Sequence, residues 1–150
     1  MPVLTADSPL GQITLTEVDG AITALDWGGD GADHTAALVE AHRQLAAYFD
    51  RQLTEFDLPL GPNVSPVQQR FLDALLAIPF GETKTYGEIA KETEMSAQAA
   101  GQACGANPIA IIIPCHRVVG TGNLGGFSAR GGIETKVALL KHEGAASLLI

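Results

Sequence analysis

The sequence is poor in cysteine, in basic residues and in long apolar runs. Its 150 residues include only two cysteines, Cys104 and Cys115. With no third cysteine, and no histidine at ligand spacing from them, the sequence supports neither a disulfide framework nor a thiolate metal site. We expect no metal and no other cofactor. Two cysteines in a chain without secretion signals are typical of a reducing cytoplasm, which is the location that we predict.

No apolar stretch approaches the roughly 20 residues that a membrane-spanning helix needs. No basic segment followed by an apolar one stands at the N-terminus, so we expect no signal peptide and no membrane association. Hydrophobic residues make up 46% of the chain and charged residues 17%. This balance predicts a folded globular protein with one domain or two small ones.

The shortage of basic residues is confined to one part of the chain. The net charge is −8, but residues 1–62 hold ten acidic and two basic residues, whereas residues 63–150 hold seven of each. The second segment is therefore neutral and can approach DNA. It lacks the strongly basic surface that usually drives phosphate binding, so we predict weak, salt-sensitive non-specific affinity.

The first segment, residues 1–62, is predicted to be a small α/β domain with an antiparallel sheet. A turn over residues 7–11 precedes strands at residues 12–17 and 21–27, which Asp19-Gly20 joins into a hairpin. Helical spacing of apolar residues then predicts a helix over 36–51. Residues 53–58 are predicted as a third strand, and the breaker-rich stretch 59–63 as a linker.

The second segment, residues 63–150, is predicted to be mostly helical. Ser65 and Pro66 begin one helix as N-cap and first residue. Thr85 and Glu88 have the spacing of a capping box that opens a second helix to about residue 94. Ser96 caps a third helix, and these last two indicate a helix-turn-helix. The prediction continues with a buried extended segment at residues 109–113, a glycine-rich loop at 120–132 and a closing helix at 133–143.

The stretch 111–119 carries the chemistry. It delivers Cys115 after four apolar or stiff residues, with His116 and Arg117 directly behind it. A thiol attacks as thiolate, and neighbouring imidazole and guanidinium groups lower its pKa or accept its proton. Taken alone, an isolated cysteine is more often a buried free thiol at the end of a strand, and only the full string favours a reactive one.

The string Pro-Cys-His-Arg-Val at residues 114–118 resembles the active-site signature of the O6-alkylguanine-DNA alkyltransferases. Further motifs of that family follow in the same order and cover nearly the whole chain. They lie at residues 7–11, 56–60, 80–90, 126–128 and 139–144, with Lys136 between the last two.

The resemblance implies an α+β fold, with a ribonuclease H-like domain at residues 1–62 and a winged helix-turn-helix domain at residues 63–150. It implies direct DNA repair, in which an alkyl group passes irreversibly from O6-alkylguanine, or from O4-alkylthymine, to Cys115. The expected partner is double-stranded DNA whose damaged base flips out of the stack. The expected protein is a cytoplasmic monomer associated with the nucleoid through DNA.

The resemblance also assigns roles to individual residues. Cys115 accepts the alkyl group, His116 takes its proton through a water molecule, and Glu143 orients the imidazole. Tyr86 protonates the leaving guanine and crowds the 3′ phosphate, although a core aromatic is the alternative. Asn107 ties the turn before the active-site segment, although a plain helix stop is the alternative. The substrate pocket would be formed by Ala110, Val118, Phe127, Ser128 and Lys136.

The third predicted helix contains no charged side chain. Small residues on a helix usually indicate close packing, but a smooth face also suits the narrow minor groove of DNA. In the family that this chain resembles, such a helix enters the minor groove. The implied DNA contacts are Ala97, Gln98, Ala99, Gly101, Gln102, Gly105 and Arg117.

Several positions depart from the family pattern. Gln98 replaces an arginine that fills the vacated base stack, and it lacks that residue's charge and planar stacking. The turn at residues 93–96 is about two residues shorter than usual. Phe127 replaces a tyrosine, and Ala110 stands where some members have a bulkier proline. Efficient base flipping and DNA affinity depend on the first two positions.

Three functions remain open on the sequence. The first is the single-turnover acceptor on Cys115. The second is a non-catalytic sensor of alkylated bases, although sensors of this kind replace the nucleophilic cysteine, usually with tryptophan. The third is a thiol hydrolase or redox protein, for which the sequence offers no oxyanion-hole design.

Overall fold

A computed structural model of the chain describes residues 1–122, 124–125 and 132–145. The chain divides into two compact units, Met1–Asn63 and Val64–Ile150. Among the described residues, one sheet has three strands and lies in the first unit, and the other has two strands and lies in the second. The predicted α+β fold is therefore confirmed. No helix in the described part of the chain is long and apolar enough to cross a membrane.

The first unit is built on an antiparallel sheet of β1 (Val3–Ser8), β2 (Gly11–Val18) and β3 (Ala21–Trp27), in that order. Both predicted strands are confirmed as β2 and β3. The turn between them places Asp19 at φ 51° and Gly20 at φ 85°. Two successive positive φ values are what a two-residue hairpin with a type I′ turn requires.

Strand β1 is absent from the sequence prediction. It is short, it runs into the predicted turn, and only Leu4 of its six residues is buried. Its pairing with β2 places Leu4 opposite Leu15. The strand thus depends on a partner more than on its own apolar pattern.

Helix α1 (Ala36–Phe49) confirms the predicted helix and ends two residues before the predicted limit. The Thr35 side chain caps it by accepting a hydrogen bond from the Leu38 amide at 3.2 Å. Its buried face and the inner face of the sheet form the core of this unit. Fully buried members of that core include Leu15, Ile22, Leu38, Ala41 and Tyr48.

The predicted third strand at residues 53–58 is wrong. The buried Gln44 side chain both donates to the Asp57 carbonyl and accepts from the Asp57 amide, each at 2.9 Å. A side chain therefore satisfies the backbone groups that a neighbouring strand would otherwise pair. Pairing with the sheet occurs only further on, at a single parallel bridge between Leu60 and Ile22.

The second unit opens with helix α2 (Pro66–Leu76), which Ser65 caps as predicted. A short strand β4 (Lys84–Thr85) leads into helix α3 (Tyr86–Thr93). Both bonds of the predicted capping box between Thr85 and Glu88 are present.

Helix α4 (Ala97–Gly105) follows α3 after a tight turn and has Ser96 as its N-cap. The turn contains Glu94 in the left-handed conformation at φ 57°. The two helices pack on each other and on α2. The predicted helix-turn-helix pair is thus present.

The predicted extended segment at residues 109–113 is wrong in conformation, although its burial is as expected. The segment is a compact turn, in which the Ile113 amide donates to the Ile109 carbonyl at 2.9 Å. Ile111 at its centre has φ 72°. A β-branched residue in the left-handed region is strained, at roughly 1–3 kcal/mol, and its near-complete burial among apolar neighbours holds it there.

The remaining elements place the predicted active-site residues. Cys115–Arg117 form one turn of 3-10 helix, and β5 (Val118–Val119) continues from it, parallel to β4. Helix α5 (Ile133–His142) confirms the predicted closing helix, and Glu143 caps its C-terminal end. Most of the predicted loop at residues 120–132 lies outside the described residues.

Candidate active site

Asn107 braces the turn that leads to Cys115. Its side-chain amide donates to the Ile113 carbonyl at 2.8 Å, and its side-chain oxygen accepts from the Ile109 amide at 3.0 Å. One side chain therefore joins the chain just after α4 to the residues just before the cysteine. This is the bond across the turn that the family resemblance implies, and a helix-stop residue alone would not need it.

The Cys115 side chain is almost completely enclosed, since the residue is only 5% exposed. Hydrogen bonding from Cys104, and then from Asn107, lowers the pKa of the Cys115 thiol, and the charge of Lys136 acts in the same direction. Burial opposes them, because an apolar environment disfavours the charged form. The net direction is downward, which favours the nucleophilic thiolate.

His116 lies next in the chain and is fully buried. Its Nε2 is 2.7 Å from Oε2 of Glu143, and both side chains have no exposed surface. A carboxylate accepts hydrogen bonds, so Nε2 carries the ring proton and Nδ1 is left as an acceptor. No described residue hydrogen-bonds Nδ1. Burial lowers the pKa of His116, so the ring is neutral at neutral pH and can take up a proton.

Arg117 is not available for the DNA contact that the sequence predicted. Its side chain is 8% exposed and contacts Glu143 through Nε at 2.8 Å. Nη1 donates to the Ile78 carbonyl at 2.6 Å. The prediction is wrong because the buried Glu143 carboxylate, which the sequence analysis assigned only to His116, also binds the guanidinium and holds it inward.

Lys136 and Tyr86 lie together. The ammonium group of Lys136 donates to the Val118 carbonyl at 2.6 Å and sits 5.7 Å from the centre of the Tyr86 ring. Burial lowers the pKa of Lys136, while the two cysteines oppose that shift. Gly125 packs against the ring, since a Cβ built there would be 2.7 Å from Cε2 of Tyr86.

The predicted walls of the alkyl pocket are only partly described. Val118 is fully buried, and Ala110 is 8% exposed. Phe127 and Ser128, which the resemblance places in the same pocket, lie outside the described residues.

Helix α4 has two different faces. Ala100, Ala103 and Cys104 are buried, so close packing accounts for one side of the helix. The predicted DNA contacts lie on the other side, where they are exposed or half-buried: Ala97, Gln98, Ala99, Gly101, Gln102 and Gly105. A Cβ added to either glycine would meet nothing within 4 Å. Packing inside the protein therefore does not require glycine there.

Two contributors to the site escaped the sequence analysis. Cys104 contacts the Cys115 segment, and Gly125 fits against Tyr86. A second thiol eleven residues before the first was visible in the sequence, but its side of the helix was not. Nothing in the sequence around Gly125 distinguishes it from the other glycines of the loop.

The comparisons with known proteins agree with this geometry. Residues 3–62 match the family model described as "6-O-methylguanine DNA methyltransferase, ribonuclease-like domain". Residues 66–145 match the one described as "6-O-methylguanine DNA methyltransferase, DNA binding domain". The fold and the site thus define the class: a small ribonuclease-like domain followed by a helix-turn-helix domain with an enclosed cysteine, directly followed in the chain by the histidine of a buried histidine–glutamate pair. The chain belongs to the O6-methylguanine-DNA methyltransferase family, as its motifs indicated.

Individual relatives cover most of the chain. The methylated-DNA–protein-cysteine methyltransferase of Mycobacterium tuberculosis (strain ATCC 25618 / H37Rv) is 44% identical over an alignment of 154 positions, which covers 93% of this chain and 90% of the relative. The Methanosarcina acetivorans protein of the same name is 49% identical over 109 residues, 71% of this chain and 69% of its own. A crystal structure of M. tuberculosis OGT in complex with DNA superposes with a TM-score of 0.87 at 43% identity, covering 97% of this chain and 94% of the other.

Proposed function

We propose that this protein repairs DNA directly by transferring the alkyl group of O6-alkylguanine to Cys115. The observation that carries the proposal is the enclosed thiol of Cys115, followed in the chain by a buried imidazole whose Nε2 contacts Glu143 and whose Nδ1 has no hydrogen-bond partner among the described residues. A nucleophile, a base and a group that orients the base are the components that such a transfer needs. The names of the M. tuberculosis and M. acetivorans relatives state the same activity.

The reaction is an in-line displacement at the alkyl carbon. The thiol proton of Cys115 passes to Nδ1 of His116 through a bridging water, which leaves a thiolate and an imidazolium beside the Glu143 carboxylate. The thiolate forms a sulfur–carbon bond while the carbon–O6 bond breaks, and the electron pair of that bond goes to guanine. A proton returned to guanine gives the repaired base.

Tyr86 is our candidate for the group that delivers the proton to guanine. A phenol can donate a hydrogen bond to a leaving anion. The Lys136 ammonium lies near the Tyr86 ring, where its positive charge stabilises the negative charge that develops on the phenol as it gives up the proton. In addition to Cys104, which has the largest effect, Asn107 and Lys136 lower the pKa of Cys115. Asn107 thereby contributes twice, since it also braces the turn that carries the cysteine.

The damaged base must flip out of the duplex to reach Cys115, because its reacting carbon is inaccessible while the base is stacked. We assign the contact with the minor groove to the exposed face of α4, with Gln98 nearest to the vacated stack. Small side chains and bare glycines on that face allow a close approach. The DNA complex of M. tuberculosis OGT supports DNA as the partner.

The product is a thioether on the protein, which has no simple route back to a thiol. One molecule therefore repairs one lesion, without a cofactor. We infer that the protein acts as a monomer in the cytoplasm, where a reducing environment keeps both cysteines as the free thiols seen in the structure.

A non-catalytic sensor is the second candidate, but the observed site disfavours it. A sensor needs a pocket for the base and has no use for a polarised thiol. Here the thiol is present, and its surroundings lower the pKa of Cys115.

Intact-mass spectrometry after incubation with a duplex containing O6-methylguanine tests the proposal. We expect a gain of one methyl group per protein, located on the Cys115 peptide, and none with an unmodified duplex. Cys115→Ser should still bind the lesion duplex in fluorescence anisotropy but gain no mass, because a hydroxyl is a far poorer nucleophile. Lesion binding by the wild type without any mass gain would establish the sensor instead.

A further inference from the structure

Cys104 is the closest thiol to the acceptor and belongs to the helix that we assign to DNA. It lies in the last turn of α4 with its side chain turned inward. Its Sγ donates to the Cys115 carbonyl oxygen at 3.6 Å. The same carbonyl also accepts the Val118 amide. The S–H bond is thus one of two donors on that oxygen, and it is the weaker one.

A thiol hydrogen can rotate about the bond between Cβ and sulfur. When Cys115 is neutral, the Cys115 carbonyl is a suitable acceptor for Cys104. When Cys115 loses its proton, its sulfur becomes negatively charged and is therefore a stronger acceptor than the carbonyl oxygen of the same residue. We propose that Cys104 is a positioning residue for the reactive sulfur: its S–H turns from the Cys115 carbonyl to the Cys115 thiolate and stabilises it. The inference rests on the proposed function, in which that thiolate is the nucleophile.

The charges around the two thiols support this order of ionisation. Hydrogen bonding between them lowers the pKa of Cys115 and raises that of Cys104, so Cys104 keeps its proton. Among the described residues, the other groups that lower the pKa of Cys115 are the Asn107 amide, the Lys136 ammonium of α5 and the backbone of Cys115 itself. His116 adjoins it in the chain and is neutral because burial lowers its pKa. Asn107 assists only Cys115, which breaks the symmetry between the two thiols.

Loss of this donor has a consequence that simple loss of packing does not have. Without it, the pKa of Cys115 should rise by about one unit, since a hydrogen bond to the charged form favours that form. A thiolate of higher pKa is also a better nucleophile, with a Brønsted coefficient of about 0.4–0.5. The variant should therefore be about three- to fourfold slower at pH values below the wild-type midpoint, yet about threefold faster on the alkaline plateau.

The experiment is the pH–rate profile of transfer from free O6-benzylguanine, which needs no DNA and no base flipping. Cys104→Ala and Cys104→Val both remove the donor and bracket the cysteine in volume. Cys104→Ser keeps a donor. We expect the Ala and Val profiles to cross that of the wild type, and the Ser profile to keep the wild-type midpoint.

If neither Cys104→Ala nor Cys104→Val shifts the midpoint of the pH–rate profile, the inference is overturned. This holds even if both variants are slower by the same factor at every pH, because lost packing alone then explains the effect. A titration of thiolate ultraviolet absorbance, with Cys115→Ser as the blank, separates this inference from the proposed function. A higher Cys115 pKa in Cys104→Ala upholds the role of Cys104 even if no alkyl group is transferred. An unshifted titration rejects that role even if transfer proceeds.

Discussion

Arg117 contacts both carboxylate oxygens of Glu143, through Nε at 2.8 Å and through Nη2 at 3.0 Å. The same carboxylate holds His116. A bidentate guanidinium fixes the direction of the two carboxylate oxygens. The positive charge of Arg117 also opposes protonation of His116, against the pull of Glu143. Arg117 thus allows a buried carboxylate to orient the imidazole without taking the imidazole into a permanent ion pair.

Glu143→Gln tests the orienting role. A glutamine has one oxygen where the carboxylate has two, so it cannot serve both His116 and Arg117, and it removes the charge that stabilises an imidazolium. We expect alkyl transfer to slow by about tenfold to a hundredfold, a part of the roughly 10²–10⁴ that a positioned base contributes. Single-turnover kinetics with O6-benzylguanine measure it. Glu134→Gln, on the exposed first turn of α5, is the matched control, and equal rates in the two variants would refute the assignment.

Arg117→Leu should reduce the free energy of unfolding by about 3–5 kcal/mol, because it leaves a buried carboxylate without its partner. Arg117→Lys keeps the positive charge but not the planar guanidinium that binds both carboxylate oxygens, so the loss of stability should be smaller than in Arg117→Leu. Urea denaturation measures both. Arg70→Leu on the exposed side of α2 should change stability by no more than about 0.5 kcal/mol.

The same variants decide where Arg117 acts. The salt dependence of duplex binding should be identical for Arg117→Lys and the wild type, since a buried guanidinium releases no counterions. A shallower slope in a folded Arg117→Leu protein would return this residue to the DNA surface, where the sequence alone had placed it.

Gly125→Ala should disturb Tyr86. A methyl group at this position would lie 2.7 Å from Cε2 and 3.1 Å from the hydroxyl oxygen of that ring. We expect roughly tenfold slower alkyl transfer, because small displacements of a catalytic group are costly. Gly122→Ala is the control, since Gly122 has a similar φ of 72° but nothing within 4 Å of its Cβ.

Gly125→Ala and Gly122→Ala therefore both strain the backbone, but only Gly125→Ala adds a close contact with Tyr86. In a Tyr86→Ala background, Gly125→Ala should have no further effect on the rate of transfer. An equal loss from Gly122→Ala would mean that the conformation of the loop matters and the contact does not.

The elements that depend on local chemistry could be predicted from the sequence. The hairpin turn needed only Asp19-Gly20, and α3 needed only the reciprocal bonds of Thr85 and Glu88. Each of these signals acts within four residues of chain, so the sequence contains all of its partners.

The predictions that are wrong concern residues whose partners lie elsewhere in the chain. Residues 53–58 are not a strand because Gln44 satisfies their backbone, and residues 109–113 are not extended because Asn107 and the surrounding core hold a turn. Arg117 followed the cysteine motif and could face either solvent or a carboxylate 26 residues away. The motif predicted which residues meet, but only the fold shows which of them are buried.

Gln98 offers the sharpest test of DNA recognition, because it is exposed on α4 at the position where the family resemblance leads us to expect an arginine. Gln98→Arg adds a charge and a planar group that can stack. Duplex binding should strengthen, and its salt dependence should steepen by about one phosphate-equivalent. Transfer from duplex DNA should speed up, because the vacated stack is better filled. Transfer from free O6-benzylguanine should barely change, since no base is flipped.

The ratio of the two transfer rates is the informative quantity, because any effect on Cys115 itself cancels in it. Gln102→Arg, one turn further along the same exposed face, provides a matched control for charge. It should steepen the salt dependence equally and leave the ratio unchanged. Equal rises of both rates in Gln98→Arg would place its effect on the thiol environment. No change in either rate would mean that the short turn before α4 has moved this position away from the base stack, and that another residue of the helix fills the gap.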